Sequence, residues 1–236
     1  MATATGAAPA SAAVKLPVAK AAGSAAPAHI MTIMMENTDY SQFAGAAAMP
    51  YLNELQVTDL PAFTGLYGIA CPTTSTCYAL GYDNSDDADA VTTITGGNAG
   101  APVEVAGGGE WLNAISCPTA TECYAAGLVN YNPSIVPISA GTPGTALTIP
   151  DAWYVNGIDC PTASECVAVG ENSTEQGLVG VLADGNVTAT VVSGTEYLYG
   201  VGCDSPASCE VTGAGVPTAD GYSSGVVASI ANGAAT

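Results

Sequence analysis

The chain has 236 residues and carries 21 Asp and Glu against two Lys and no Arg, a formal net charge of −19. That balance excludes nucleic acid and anionic lipid as partners, because both are bound through basic stripes that displace counterions. Only 10 % of residues are charged while 48 % are apolar, with 28 Gly and 15 Pro, which excludes wholesale disorder and favours strands and turns over helices.

Residues 1–28 are rich in Ala, Pro, Ser, Gly and Thr and hold both lysines, Lys15 and Lys20. No block of ~7–15 apolar residues follows a basic start, so the segment reads as a disordered linker. Ser24-Ala25-Ala26-Pro27-Ala28 does carry small residues of the kind found near export cleavage sites. No apolar run anywhere reaches the ~18 residues of a membrane-spanning helix.

Residues 29–55 differ in character. His29-Ile30-Met31-Thr32-Ile33-Met34-Met35 has the pattern of a buried strand. Glu36-Asn37 stands at its carboxyl end, where α/β sheets place ligands, and a helix can start at Pro50. The run His29-Ile30-x-x-Ile33-x-x-Glu36-Asn37, followed by Tyr40, Gly45 and Pro50-Tyr51-Leu52-Asn53-x-Leu55, closely resembles the start of the phosphoesterase family that contains phospholipases C and acid phosphatases. The resemblance implies metal-assisted hydrolysis of phosphate esters. It makes Glu36 and Asn37 oxygen ligands of a divalent cation that polarises a phosphoryl oxygen. That family also needs a hydroxyl nucleophile and further Asp ligands well downstream, and no later segment resembles them. Two oxygen ligands hold a cation weakly and leave no activated nucleophile. The expectation is therefore a leader too short for catalysis, with a working metal-dependent phosphoesterase as the alternative.

From residue 56 onward the chain repeats. Its eight cysteines form four pairs, Cys71/Cys77, Cys117/Cys123, Cys160/Cys166 and Cys203/Cys209, each six apart, with first members 46, 43 and 43 residues from one to the next. Gly68-Ile69-Ala70-Cys71-Pro72 aligns with Ala114-Ile115-Ser116-Cys117-Pro118, with Gly157-Ile158-Asp159-Cys160-Pro161, and more loosely with Gly200-Val201-Gly202-Cys203. A glycine follows each second cysteine by four residues: Gly81, Gly127, Gly170 and Gly213. In the first unit Leu66–Cys71, Cys77–Leu80, Val91–Ile94 and Val103–Val105 read as strands. Four short strands in ~40–45 residues is the size of a propeller blade. The expected fold is an all-β propeller of four four-stranded repeats over residues 56–236, preceded by a short strand-helix segment.

Each cysteine pair flanks a five-residue hairpin loop and can bring its Cα atoms within ~5.5 Å, which suits a disulfide. Zinc is the alternative, but its sites favour closer spacings and histidines, and His29 is the sole histidine. Four disulfides imply an oxidising compartment. The units, Ile115-Ser116-Cys117-Pro118-Thr119-Ala120-Thr121-Glu122-Cys123 and Cys166-Val167-Ala168-Val169-Gly170 in particular, look like the Cys-Pro repeats of secreted, mostly actinobacterial β-propeller proteins. This implies export and a fold but no activity.

The fourth repeat lacks its last strand, and residues 55–65 resemble it, so that segment is expected to complete the blade begun by residues 198–233 and close the ring without an open edge, with a stretch of a longer repeat array as the alternative. Asp83, Asp86, Asp87 and Asp89 lack the spacing of an EF-hand loop and read as a solvated loop, with calcium as the alternative. Trp111, Trp153, Tyr154 and Tyr197 recur before the cysteines and read as packing between blades, with a sugar-stacking surface as the alternative. Asn172 and Asn186 head glycosylation sequons that matter only in a eukaryotic secretory pathway. The leading functional reading is a secreted, monomeric binding or scaffold module whose unknown ligand sits at a propeller face, with neither nucleic acid nor a membrane span involved.

Overall fold

A computed structural model describes residues 60–83, 88–107, 109–231 and 234–235, all within the unit Gln56–Thr236. His29, Glu36 and Asn37 lie outside the described residues. The described chain holds no helix and forms four antiparallel sheets, one per cysteine pair. The architecture is all-β and propeller-like.

The first sheet contains β1 (Phe63–Ala70), β2 (Thr76–Asp83), β3 (Ala88–Thr95), β4 (Asn98–Ala99) and β5 (Val103–Glu104). The second contains β6 (Gly109–Ser116), β7 (Glu122–Val129), β8 (Asn132–Ser139), β9 (Thr142–Pro143) and β10 (Leu147–Thr148). The third holds β11 (Ala152–Thr162), β12 (Glu165–Asn172), β13 (Gly177–Ala183) and β14 (Asn186–Val191). The fourth holds β15 (Thr195–Ser205), β16 (Ser208–Gly215), β17 (Gly225–Ala231) and β18 (Ala234–Ala235). In the third and fourth sheets the strands pair in chain order; in the first, β4 and β5 both pair with β3, and in the second, β9 and β10 both pair with β8. In the first sheet Pro102, between β4 and β5, has no N–H to give a ladder, whereas β14 has no proline and runs unbroken. The turns into the outer strands take positive φ at both central residues, Gly96-Gly97, Ala140-Gly141 and Asp184-Gly185, the geometry that matches the twist of a tight hairpin.

All four disulfides form between residues six apart, with Cα separations of 3.9–4.0 Å, and no cysteine remains for zinc. The pairs sit closer than the ~5.5 Å expected from the spacing, because the two cysteines face each other across a tight hairpin, as Cys203 and Cys209 do in the β15–β16 ladder.

The core lies between sheets. Leu80, Val91, Leu112, Val136 and Ile138 fill the first interface. Ile135, Ile149, Ile158, Cys160, Cys166 and Leu178 fill the second, and Val167, Val169, Val179, Leu198 and Val211 the third. Each sheet's first strand packs onto the face of the sheet before it. Side chains at matching repeat positions tie these interfaces. Asn113 Nδ2 donates to Val155 O at 3.1 Å and Asn156 Nδ2 to Leu198 O at 2.9 Å. Tyr78 donates its hydroxyl to Ala120 O at 3.0 Å, and Tyr124 donates to Ala163 O. Asp159 joins three sheets: Ser116 Oγ donates to it at 3.1 Å, and the amides of Cys160 and Cys203 donate at 2.9 and 2.7 Å.

The expected ring closure through residues 55–65 is corrected in its described part. Phe63 and Gly65 pair with Asp83 and Tyr82 in the first sheet, and the fourth sheet ends on its own β18. A strand that continues directly into the hairpin of Cys71/Cys77 is held in that hairpin's register and cannot also serve a distant sheet. Among the described residues the extensive packing runs from the first sheet to the fourth, and none of it joins the fourth back to the first. Ile69, whose counterparts Ile115, Ile158 and Val201 pack between sheets, is 60 % exposed. At the other end Glu210 and Thr212 replace the buried pair Val167 and Val169.

Candidate functional site

Two cavities of 380 Å³ adjoin one another where the starts of the first three repeats meet the β7–β8 turn. The first is lined by Tyr67, Tyr82, Trp111 and Tyr131. The second is lined by Trp111, Tyr131, Asn132, Pro133, Trp153 and Tyr154 among others. Trp111 and Tyr131 therefore form a shared wall. Trp111 is 53 %, Tyr131 72 % and Trp153 62 % exposed, and Trp111 and Trp153 are the chain's two tryptophans. The recurring aromatics were expected between blades. For Trp111 and Trp153 the structure corrects this, because the interfaces are already filled by Val, Leu and Ile from facing strands, which leaves the residues at the strand starts to look outward.

The backbone beneath the shared wall is held in rare conformations. Trp111 has φ 143° and Tyr131 φ 60°, regions that bulky side chains seldom occupy and that cluster at functional sites. Tyr131 is the second central residue of the Asn130-Tyr131 turn, a position where tight hairpins favour glycine. Trp111 sits at a bulge: the β6–β7 register shifts between Gly109 and Trp111 and again between Leu112 and Ala114.

Asp89 stabilises that bulge. Its Oδ2 accepts the amides of Trp111 at 2.8 Å and Leu112 at 2.6 Å, and across the first sheet it faces Tyr82. Asp83 and Asp89 are 2 % and 1 % exposed, so the expected solvated acidic loop is corrected for these two residues. A buried carboxylate needs hydrogen-bond donors, and the bulge supplies two amides that no ladder partner takes. Asp86 and Asp87 lie outside the described residues. Among the described residues no three His, Cys, Asp or Glu side chains gather as a metal site. Asn172 uses its side-chain oxygen to accept the amides of Thr174 and Gln176, both at 3.0 Å, a loop-stabilising role.

A second group of acids surrounds Tyr197, which stacks on Tyr199 with centroids 6.3 Å apart. Partial burial, then the charges of Glu175 and Glu196, push the Glu171 carboxyl above the ordinary glutamate range. A raised folded-state value favours the protonated form in the fold, so this contribution to stability is present at low pH and is lost as pH rises through that raised value. Glu171→Gln is expected to raise the thermal midpoint at pH 7 but not at about pH 3, where the glutamate is already neutral. Calorimetry of both proteins at the two pH values checks this, and an equal change at both would refute it.

The aromatic recurrence was visible in the sequence, but Tyr131, Tyr67 and Asp89 were missed as members of one site. The only sequence signal was a tyrosine standing after Asn130 where a turn favours glycine. Comparison with known protein families and with curated proteins finds no family and no protein that this chain matches.

Proposed function

We propose that the chain is a secreted binding module that holds a ring-stacking or ring-facing ligand in the aromatic cleft around Trp111. The observation that carries this reading is the exposure of Trp111, Tyr131 and Trp153 side by side along two adjoining cavities. Contiguous exposed aromatic surface is the usual mark of an interaction site. The four disulfides suit an oxidising environment and give the sheets fixed hairpins on which to carry the cleft.

Both tryptophans line the cleft, so intrinsic fluorescence reports directly on its occupancy. Titration with neutral oligosaccharides, organic ammonium ions and aromatic peptides is expected to shift the emission saturably for at least one class, and Trp111→Ala is expected to abolish the saturable change. No response to any class would refute the reading.

A further inference from the structure

We propose that the first cavity binds an organic ammonium cation, a trimethylammonium group in particular; this rests on the aromatic cleft being a binding site. All four described residues that line this cavity are aromatic: Tyr67, Tyr82, Trp111 and Tyr131. Aromatic faces carry negative potential and attract a cation, most strongly when the cation has little water to lose. A quaternary ammonium needs no hydrogen-bond acceptor, whereas a neutral sugar needs polar side chains to fix its hydroxyls, as ligand sites ordinarily supply. The three tyrosine hydroxyls and the Trp111 indole N–H are the polar side-chain groups among those four residues, and none of them is a carboxylate or amide of the kind that fixes sugar hydroxyls.

Charge points the same way. Asp89, fully buried, is bonded through Oδ2 to the amides of Trp111 and Leu112 and is paired across the ladder with Tyr82. It adjoins two of the four lining residues, through the backbone amide of Trp111 and the strand pairing with Tyr82. Beyond it, the net charge of −19, with Lys15 and Lys20 the sole lysines and no arginine, repels anions and draws cations toward the cleft. The positive φ of Trp111 and Tyr131 shows two of the rings presented at a conformational cost, which a merely packed aromatic does not require.

The test is fluorescence titration with choline and with 3,3-dimethylbutan-1-ol, its uncharged carbon isostere. Choline is expected to bind about tenfold or more tightly than the isostere. Trp111→Ala and Tyr67→Ala are each expected to weaken choline by a similar factor. Asp89→Asn, which keeps an acceptor oxygen but removes the charge, is expected to weaken choline more than the isostere. Should Asp89→Asn not fold, Tyr67→Ala, at an exposed position, still decides the matter. Equal affinity for choline and isostere overturns the proposal. Saturable binding of a neutral oligosaccharide alone overturns it while sparing the cleft as a binding site, and silence toward every ligand sinks both. Co-sedimentation with phosphatidylcholine vesicles, competed by free choline, would identify the cation's source as a lipid headgroup; choline binding without it identifies a soluble ligand.

Discussion

Gly170→Ala is expected to prevent stable folding of the third sheet. A methyl group on Gly170 would overlap the carbonyl oxygen of Tyr154 and come within 2.8 Å of Tyr154 C and 2.9 Å of Val155 Cα. All three are backbone atoms, so no side-chain rotation relieves the clash. Gly170 faces Val155 in the ladder just where the β11 register shifts. The same juxtaposition recurs: Gly81 faces Leu66, Gly127 faces Leu112 and Gly213 faces Leu198. The glycine four residues after each second cysteine is thus the partner of a bulge in the preceding strand, and the bulge brings backbone onto the space a Cβ would fill. The loss is expected to exceed about 4 kcal/mol, the range of exceptional single substitutions. Denaturant unfolding of the variant measures it. Gly185→Ala, at a turn with open space around it, serves as the mild comparison, limited to the strain of its φ of 79°. A Gly170→Ala midpoint equal to that of Gly185→Ala would refute the steric account.

The second large effect separates cross-linking from burial. Replacing Cys160 and Cys166 together by alanine is expected to cost more than replacing Cys71 and Cys77. Both bridges close loops of equal sequence separation, so the loss from freeing the unfolded chain is the same, about 2 kcal/mol. Their surroundings differ. Cys160 and Cys166 are buried between the second and third sheets beside Ile135, Ile149 and Leu178, whereas Cys71 is exposed and Cys77 half-buried at the outer face of the first sheet. Deleting two packed sulfurs leaves cavities and should add about 1–2 kcal/mol. A difference of that size lowers the thermal midpoint by a further ~2–8 °C for a domain of this length. Calorimetry of the two double variants tests it, and equal midpoints would show that the bridges act through the unfolded chain alone.

Particular residues show how far the sequence could be read. The pairing of cysteines six apart and the four-sheet repeat were legible because both are local. Two cysteines flanking five residues meet in a hairpin whatever surrounds them, and a period near 43 residues repeats one supersecondary unit. The glycine after each pair was legible as a signal, but its reason needed the bulge opposite. Trp111 and Trp153 were read as interface residues because recurrence alone does not say which way a side chain faces. Asp89 was read as solvated because its acidic cluster lacks calcium-loop spacing and does not recur; its hydrogen-bond donors are amides 22 and 23 residues away, beyond any local pattern. Residues 55–65 resembled a missing strand, yet Phe63 and Gly65 belong to the first sheet, since covalent continuity with Cys71 outweighs likeness to a distant edge.

By itself the sequence determined the number of sheets, the four sulfur bridges and the strong negative charge, all properties of short segments or of composition. Tertiary structure alone decided which aromatics face solvent, where Asp89 is sheltered and how one sheet lies on the next. Those features depend on what a neighbouring repeat places over a given face, and strand periodicity assigns a residue to one side of its sheet without saying what covers that side.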